Sequence, residues 1–481
     1  MPMARGRSSP EDIRRAVESV FGNVREGLER LVSIPSVSTE GYDAYNPEEV
    51  RRSAEETGAW LQRSGLKGVR LLEVDGAHPA IFGQTPGPAG SPTVLLYAHH
   101  DVQPPGPAGL WASRPFEATE RDGRLFGRGT ADDKAGIAAH AAALRAWDGA
   151  PPVTLSVFIE GEEEIASPNL GAFLGRYAHL LEADVIVLAD CSNWTLGTPA
   201  LTTSLRGILD FVVEVRTLDH AVHSGVYGGP VPDALTALSR LLASLHDDRG
   251  NVTVDGLQSG PPYDIVVDEA DIRRFAGVRP SVSLMGTGTL AHRLWGRPAV
   301  AVLGIDAPPI TEAANKLVPV ARAKVSVRLA PGDDVAKARA AITEHFLSPV
   351  RAPWGAEVTV TLLKEGAPHL IDPTGGAFEA FRQACSHTWG CSPVEAGSGG
   401  SLPLVAALAE MFPRAEMLLT GVADPESKAH SENESVHLAE LMNCCVSEAI
   451  LLGELAGTPG PEIGPAGRGT FGSVPGPRGS R

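Results

Sequence analysis

Three short apolar runs each end abruptly in residues that can hold a metal ion. TVLLYA (Thr93–Ala98) is followed by His99 and Asp101, VTLSVFI (Val153–Ile159) by Glu160–Glu164, and VIVLA (Val185–Ala189) by Asp190. In open α/β sheets, ligands collect beyond the carboxyl ends of the strands, where side chains from separate strands converge. One polar strand end is ordinary capping. Three such ends, all imidazole or carboxylate, point to a cation site. Within His99-His100-Asp101, residues two apart on an extended chain share a side, so Asp101 can orient the His99 imidazole through its second ring nitrogen. His100 then points elsewhere and is not expected to be a ligand.

Two acidic stretches carry the chemistry further. Gly127-Arg128-Gly129-Thr130-Ala131-Asp132-Asp133-Lys134 is a glycine-containing loop entering a helix. Its adjacent carboxylates repel unless a cation or Lys134 relieves them, and one of them can bridge two metals. A helix N-cap with its neighbour favoured by the helix dipole explains the same residues without a site. Glu160-Gly161-Glu162-Glu163-Glu164 places four carboxylates in five residues. A solvated loop accounts for such a run. A site instead needs one Glu as ligand and a neighbour free to take a proton from water. Glycine also stands near histidine downstream, in Asp219–Gly229 (DHAVHSGVYGG), and polar residues cluster at Gly399-Gly400-Ser401 and Ala429-His430-Ser431-Glu432-Asn433-Glu434.

The elements that must position these residues follow from periodicity. Ile13, Val17, Val20, Val24, Leu28 and Leu31 recur at helical spacing and predict a helix over 10–34. A second, Ala-rich helix is expected over 134–147, between the first two buried strands. Strands alternating with helices predict an α/β fold with a largely parallel sheet. Near Leu205 the pattern shifts to strands at 209–215 and 323–329 and helices at 233–245 and 335–346, which reads as an inserted α+β sandwich. Helical and strand runs at 378–388, 402–410, 417–420 and 438–455 then resume the first pattern. The expected organisation is one α/β domain made of residues 10–205 and 377–456, interrupted by a second domain over 206–376. In residues 457–481, 13 of 25 are Gly or Pro. Such a segment cannot bury enough apolar surface to offset its ordering entropy and is read as a disordered tail.

Composition narrows the function. Lys+Arg number 41 against 58 Asp+Glu, a net charge of −17, which repels nucleic acid and anionic membranes alike. No apolar run reaches the ~18 residues needed to span a bilayer, and no secretory signal is expected at the start. The five cysteines are odd in number and form no C-x-x-C pair, so neither a disulfide framework nor a thiolate zinc site is expected. A reducing cytoplasm is the default location, and any metal falls to His, Asp and Glu.

Taken in order, these segments resemble the M20 metallopeptidases, and within them the dinuclear-zinc dipeptidases of the carnosine-dipeptidase and Cys-Gly-dipeptidase type, over about residues 15–455. His223-Ser224-Gly225-Val226-Tyr227-Gly228-Gly229 is the most discriminating stretch. The resemblance implies a zinc-peptidase-type catalytic domain with a mixed, mainly parallel sheet, and an inserted α+β sandwich acting as lid and dimerisation domain. It implies two Zn²⁺ per subunit, with Mn²⁺ or Co²⁺ suiting the same donors. His99 and Asp190 would ligate one ion, Glu164 and His430 the other, and Asp132 would bridge them. Asp101 would orient His99, and Glu163 would be the general base toward a water held between the ions. His223 would reach into the site of a partner subunit in a homodimer. Arg328 would bind the substrate's terminal carboxylate, with His369, Gly400 and Ser401 as further substrate contacts. The implied activity is hydrolysis of dipeptides or other short peptides with a free C-terminus; the alternative is an amidohydrolase or deacylase acting on N-acyl amino acids or a non-peptide amide. A metal-binding protein without catalysis and a metal-free α/β binding module are the rival readings. The sequence departs from the family's frequent pattern at Ala98, at Ile165-Ala166-Ser167, and at Gly397-Ser398, the last bearing on substrate selectivity.

Overall fold

A computed structural model of the 481-residue chain describes residues 9–400 and 402–457. The expected tail, apart from Gly457, and Ser401 lie outside the described residues.

The helix Pro10–Val32 starts where Ser9 accepts a hydrogen bond from the Asp12 amide and Asp12 reciprocates, a capping box that satisfies two otherwise orphaned amides. Its stripe of Ile13, Val17, Val24, Leu28 and Leu31 is buried against the helices Lys134–Ala146 and Leu438–Leu455. The Lys134–Ala146 helix is almost wholly apolar and buried from Lys134 to Leu144, as a helix between a sheet and further helices must be.

The larger sheet runs in the spatial order Arg70–Leu72, Ala80–Thr85, Thr154–Glu160, Thr93–His99, Val185–Leu188, Glu416–Leu419, Ala200–Leu205 and His369–Leu370, with Val394–Ser398 also pairing Ala200–Leu205. Its four central strands, from Thr154–Glu160 to Glu416–Leu419, are mutually parallel. The flanking pairs are antiparallel except Val394–Ser398 on Ala200–Leu205, so the sheet is mixed. Parallel strands buried on both faces require continuous apolar runs, which is why the three of them before residue 190 are readable in the sequence as buried strands. The register pairs His99 with Glu160 and Tyr97 with Leu188, so the three acidic and histidine strand ends finish at one edge of the sheet.

Between residues 207 and 366 the chain builds a separate antiparallel sheet in the order Ala299–Asp306, Val320–Leu329, Gly207–Arg216 and Glu357–Gly366. The helices Ala234–Ala243 and Val335–Leu347 pack on it. Leu209, Phe211, Val213 and Val215 alternate inward with Val325, Val327, Leu238 and Ile342 to form a second core. The first core draws on residues from Ile13 to Leu205 and from Ile371 to Leu455. The strand His369–Leu370 already pairs with Leu205 and Ser204 in the larger sheet.

Candidate metal centre

His99 ends its strand fully buried, and its two ring nitrogens face different groups. Nδ1 lies 3.0 Å from the Asp101 carbonyl oxygen and 3.4 Å from Asp101 Oδ1. Nε2 lies 3.1 Å from Asp132 Oδ1, 3.8 Å from Asp190 Oδ1 and 4.0 Å from Glu163 Oε2. Asp101 also accepts from Ser38 Oγ at 2.7 Å and from the amides of Glu163 and Glu164. Both its ring partner and the loop carrying the two glutamates are thus tied to one buried carboxylate. His100 turns the other way and is buried, with Nε2 2.9 Å from the Pro79 carbonyl oxygen.

Across the cluster, His430 Nε2 lies 3.0 Å from Asp132 Oδ2 and 3.1 Å from Glu164 Oε2. Asp132 therefore gives one oxygen to each imidazole. Two donor sets result, His99–Asp132–Asp190 and Asp132–Glu164–His430, and within each the ligand atoms lie within 4.8 Å of one another. His430 sits in the left-handed region at φ +63° and its side chain is 58% exposed, so the cluster is open on that side. Glu164 is held by Gln103, whose amide donates to Oε1 at 3.2 Å and whose side chain donates to Oε2 at 2.8 Å.

The acidic run divides by task. Glu160 accepts from the Tyr97 hydroxyl at 2.9 Å beneath the site. Glu162 accepts from the His78 amide and from Asn169, fixing the loop. Only Glu163 and Glu164 reach the cluster. The Asp pair divides as well: Asp132 faces the imidazoles, while Asp133 is buried below and accepts from the His99 amide at 3.3 Å. Lys134 does not relieve that pair. Its Nζ donates to the carbonyls of Leu31 and Ile34 at the end of the first helix.

Sequence reading gave Glu434 no role, and it holds the Asp132 loop. Fully buried, it accepts from the amides of Gly129, Ala131 and Asp132 at 2.9–3.0 Å and from Arg128 Nη1 at 2.6 Å. More than three hundred residues separate the partners, so no local pattern announces them. Gln103 was likewise passed over, although it lies two residues beyond Asp101.

The electrostatics follow from crowding buried carboxylates. Burial, with Glu163 and other carboxylates nearby, pushes Asp190 well above the usual range. Burial, joined by Glu164 and Asp132, pushes Glu163 up to about 8. Glu164 is raised by burial and by Asp132. Hydrogen bonds that His430 donates to Asp132 and Glu164 raise it to about 11. For His99, burial favours the neutral ring, yet Asp101 and Asp132 prevail and raise it. Such a site is short of positive charge, and its donors are the imidazoles and carboxylates that divalent zinc, manganese or cobalt accept. The residues fit a metal centre.

The remaining expected residues belong to neither donor set. His223 is exposed at the end of the short strand Val222–His223, its Nδ1 accepting from the Gly225 amide at 3.0 Å. Arg328 is half-buried on the strand Val320–Leu329; the Asp210 carboxylate acts on its guanidinium electrostatically, but among the described residues it makes no hydrogen bond or close ion pair. His369 pairs with Leu205 at the far edge of the larger sheet. The Gly400 amide donates to Ser398 Oγ at 3.2 Å.

Residues 95–452 match Peptidase family M20/M25/M40. The chain is 35% identical to the cysteinylglycine-S-conjugate dipeptidase of Corynebacterium striatum, over 91% of this chain and 98% of that protein. It is 27% identical to a Cys-Gly metallodipeptidase of Schizosaccharomyces pombe, over 85% and 91% of the two chains. Among solved structures, the fold is similar to that of a dipeptidase from Saccharomyces cerevisiae (TM-score 0.79, 22% identity, 94% of this chain and 100% of that one). Human carnosine dipeptidase 1 is also similar (TM-score 0.77, 24% identity, 93% and 99%).

Proposed function

Because the chain belongs to Peptidase family M20/M25/M40 and is a metallopeptidase, we propose that it hydrolyses dipeptides at a centre of two zinc ions. The observation that carries this reading is the sharing of Asp132 between two donor sets, with the Glu163 carboxylate beside them. His99 and Asp190 would hold one ion, Glu164 and His430 the other, and Asp132 both. Manganese or cobalt would suit the same donors. When bound, the ions supply positive charge that favours ionised water and polarises the scissile carbonyl.

The chain's own groups do the rest. Glu163 accepts the proton of the attacking water at its carboxylate and returns it to the leaving amine. Asp101 keeps the His99 ring turned so that Nε2 faces the centre. Arg328, whose guanidinium makes no hydrogen bond among the described residues, is the group proposed to pair with the substrate's terminal carboxylate.

The named substrates of the relatives supply the class. The Corynebacterium striatum relative is named for Cys-Gly S-conjugates, dipeptides whose N-terminal cysteine carries a sulfur-linked substituent. We assign the same class of dipeptide to this chain. His223 is proposed to act in the site of a second copy within a homodimer. The protein is proposed to be cytoplasmic, in keeping with five unpaired cysteines. Among the described residues no helix is long and apolar enough to cross a membrane.

The decisive experiment is a panel of dipeptides and N-acyl amino acids offered to zinc-loaded protein. Turnover of dipeptides over acylated amino acids is the expected result. Preference for N-acyl amino acids would replace the dipeptidase reading with a deacylase one.

A further inference from the structure

Beside Asp132 and Asp190 opens a cavity of about 350 Å³ whose walls include Trp194, Trp295, Ala396 and Gly397. Resting on the dipeptidase reading, we propose that this cavity receives the side chain of the substrate's N-terminal residue, and that Trp295 and Trp194 select bulky apolar or thioether side chains there.

The wall is built rather than incidental. Trp295 lies in the single π-turn His292–Gly296, and Trp194 follows Asp190 at the end of a catalytic-sheet strand. The two indoles meet edge to face, with centroids 6.1 Å apart and an interplanar angle of 64°. On its other side Trp295 meets Tyr263 in the same manner, at 5.2 Å and 67°. The Tyr263 hydroxyl lies 2.6 Å from Ser204 Oγ, which pins that ring to the larger sheet. Trp295 is thus clamped between two aromatic rings and keeps its orientation without a ligand. Both tryptophans are only half-buried, so part of each ring remains for a ligand.

Gly397 makes the arrangement possible. A Cβ at that position would lie 2.6 Å from both Cβ and Cγ of Trp295, closer than real contacts allow. The absence of a side chain at 397 is therefore what lets the indole close against the strand Val394–Ser398. Although Ser192, Asn193, Thr202 and Ser398 also line the cavity, its two indoles form an apolar wall that rewards large side chains and gains little from Ala. Aromatic rings also favour a thioether sulfur against their edges, the atom that an S-substituted cysteine presents.

Which residue of the substrate enters follows from the lining. The cavity borders Asp132 and Asp190, where the scissile bond must lie, and Arg328 is not among its walls. The residue anchored by its carboxylate at Arg328 therefore lies elsewhere, which leaves the N-terminal residue for the cavity.

The test compares kcat/KM for S-benzyl-Cys-Gly, Met-Gly and Ala-Gly, and for Ala-Phe against Ala-Ala, in the zinc-loaded wild type, Trp295→Ala and Trp295→Phe. The expected wild-type ratio of S-benzyl-Cys-Gly to Ala-Gly is at least about tenfold, the discrimination that burying a large side chain against an apolar wall supplies. Trp295→Ala should cut that ratio about tenfold while leaving the Ala-Phe to Ala-Ala ratio in place, and Trp295→Phe should restore most of it. Calorimetric binding of S-benzyl-L-cysteine against L-alanine gives a readout that needs no turnover, with the same preference expected and the same loss. If Trp295→Ala does not fold, Trp194→Ala removes the opposite wall and carries the same ratios. Equal wild-type values for S-benzyl-Cys-Gly and Ala-Gly, or a tryptophan effect confined to the C-terminal series, overturn the proposal. Selective binding of S-benzyl-L-cysteine that depends on Trp295, without turnover of any dipeptide, sustains the pocket and sinks the dipeptidase reading alone.

Discussion

Glu163 and Glu164 adjoin in sequence, yet their carboxylates meet different partners: Glu164 is fixed by Gln103 beside His430, while the Glu163 carboxylate, 4.0 Å from His99, has no hydrogen-bond donor among the described residues. A ligand is best immobilised, and a proton carrier is best left able to swing. Glu163→Gln should therefore lower kcat by about three orders of magnitude while both ions stay bound, since general-base groups contribute on the order of 10²–10⁴. Steady-state kinetics paired with metal analysis checks this, and substantial turnover in the variant would remove Glu163 from the base role. His430 gives a second prediction. Asp132 and Glu164 raise it to about 11, so without a cation it is an imidazolium throughout the neutral range. The ion held by Glu164 and His430 must displace that proton, so its affinity rises with pH and falls in acid. Metal retained on dialysis should fall continuously as pH is lowered from about 8 to about 5, since the proton to be displaced is bound throughout that range. Retention independent of pH over that window would argue against imidazole ligation at position 430.

At the scale of elements, the strands that carry the centre were readable because burial on both faces forces unbroken apolar runs, and a strand that stops at His or Asp then stands out. Thr93–His99, Thr154–Glu160 and Val185–Leu188 are of this kind. Ala80–Thr85 is interrupted by Gly83 and Gln84, and the helix Pro47–Arg63 is dense in charge, so neither announces itself by pattern. The Arg128–Glu434 pair that shapes the Asp132 loop was out of reach for another reason: tertiary pairing leaves no trace in local spacing. Between the second-sheet helices, His345 on Val335–Leu347 lies 3.0 Å from Ser244 Oγ at the end of Ala234–Ala243. Burial, with Arg351 nearby, lowers it to about 4 from its ordinary 6.5. Between those values the unfolded chain binds a proton that the folded chain does not, so stability rises with pH across the window and is lost as pH falls through it. Melting temperature should decline from pH 6.5 to pH 4 more steeply in the wild type than in His345→Gln. Parallel curves for the two proteins would show that this imidazole is not what acid attacks.

For the whole molecule, the separation of His223 from the centre is the fact to explain. A separate two-stranded ribbon, Val222–His223 paired with Lys316–Leu317, carries it on an exposed strand end, outside both donor sets of the centre. A residue that serves catalysis from such a position needs a second chain, and a two-fold dimer would present each copy's His223 to the other copy's centre. That geometry has a consequence no single-chain role shares. Homodimers of Glu163→Ala lack the base, and homodimers of His223→Ala lack the reaching imidazole, so each should be inactive. When the two chains are unfolded together and refolded as an equal mixture, half the dimers are mixed. In a mixed dimer the His223→Ala chain keeps Glu163 and receives His223 from its partner, while the other site lacks both groups. One good site in half the dimers predicts recovery to about one quarter of wild-type activity, with random pairing assumed. Activity measured against mixing ratio should trace the product of the two chain fractions and peak at equality. A flat line at the background of the parent variants, with mixed dimers verified by differential tags, would place the function of His223 within its own chain.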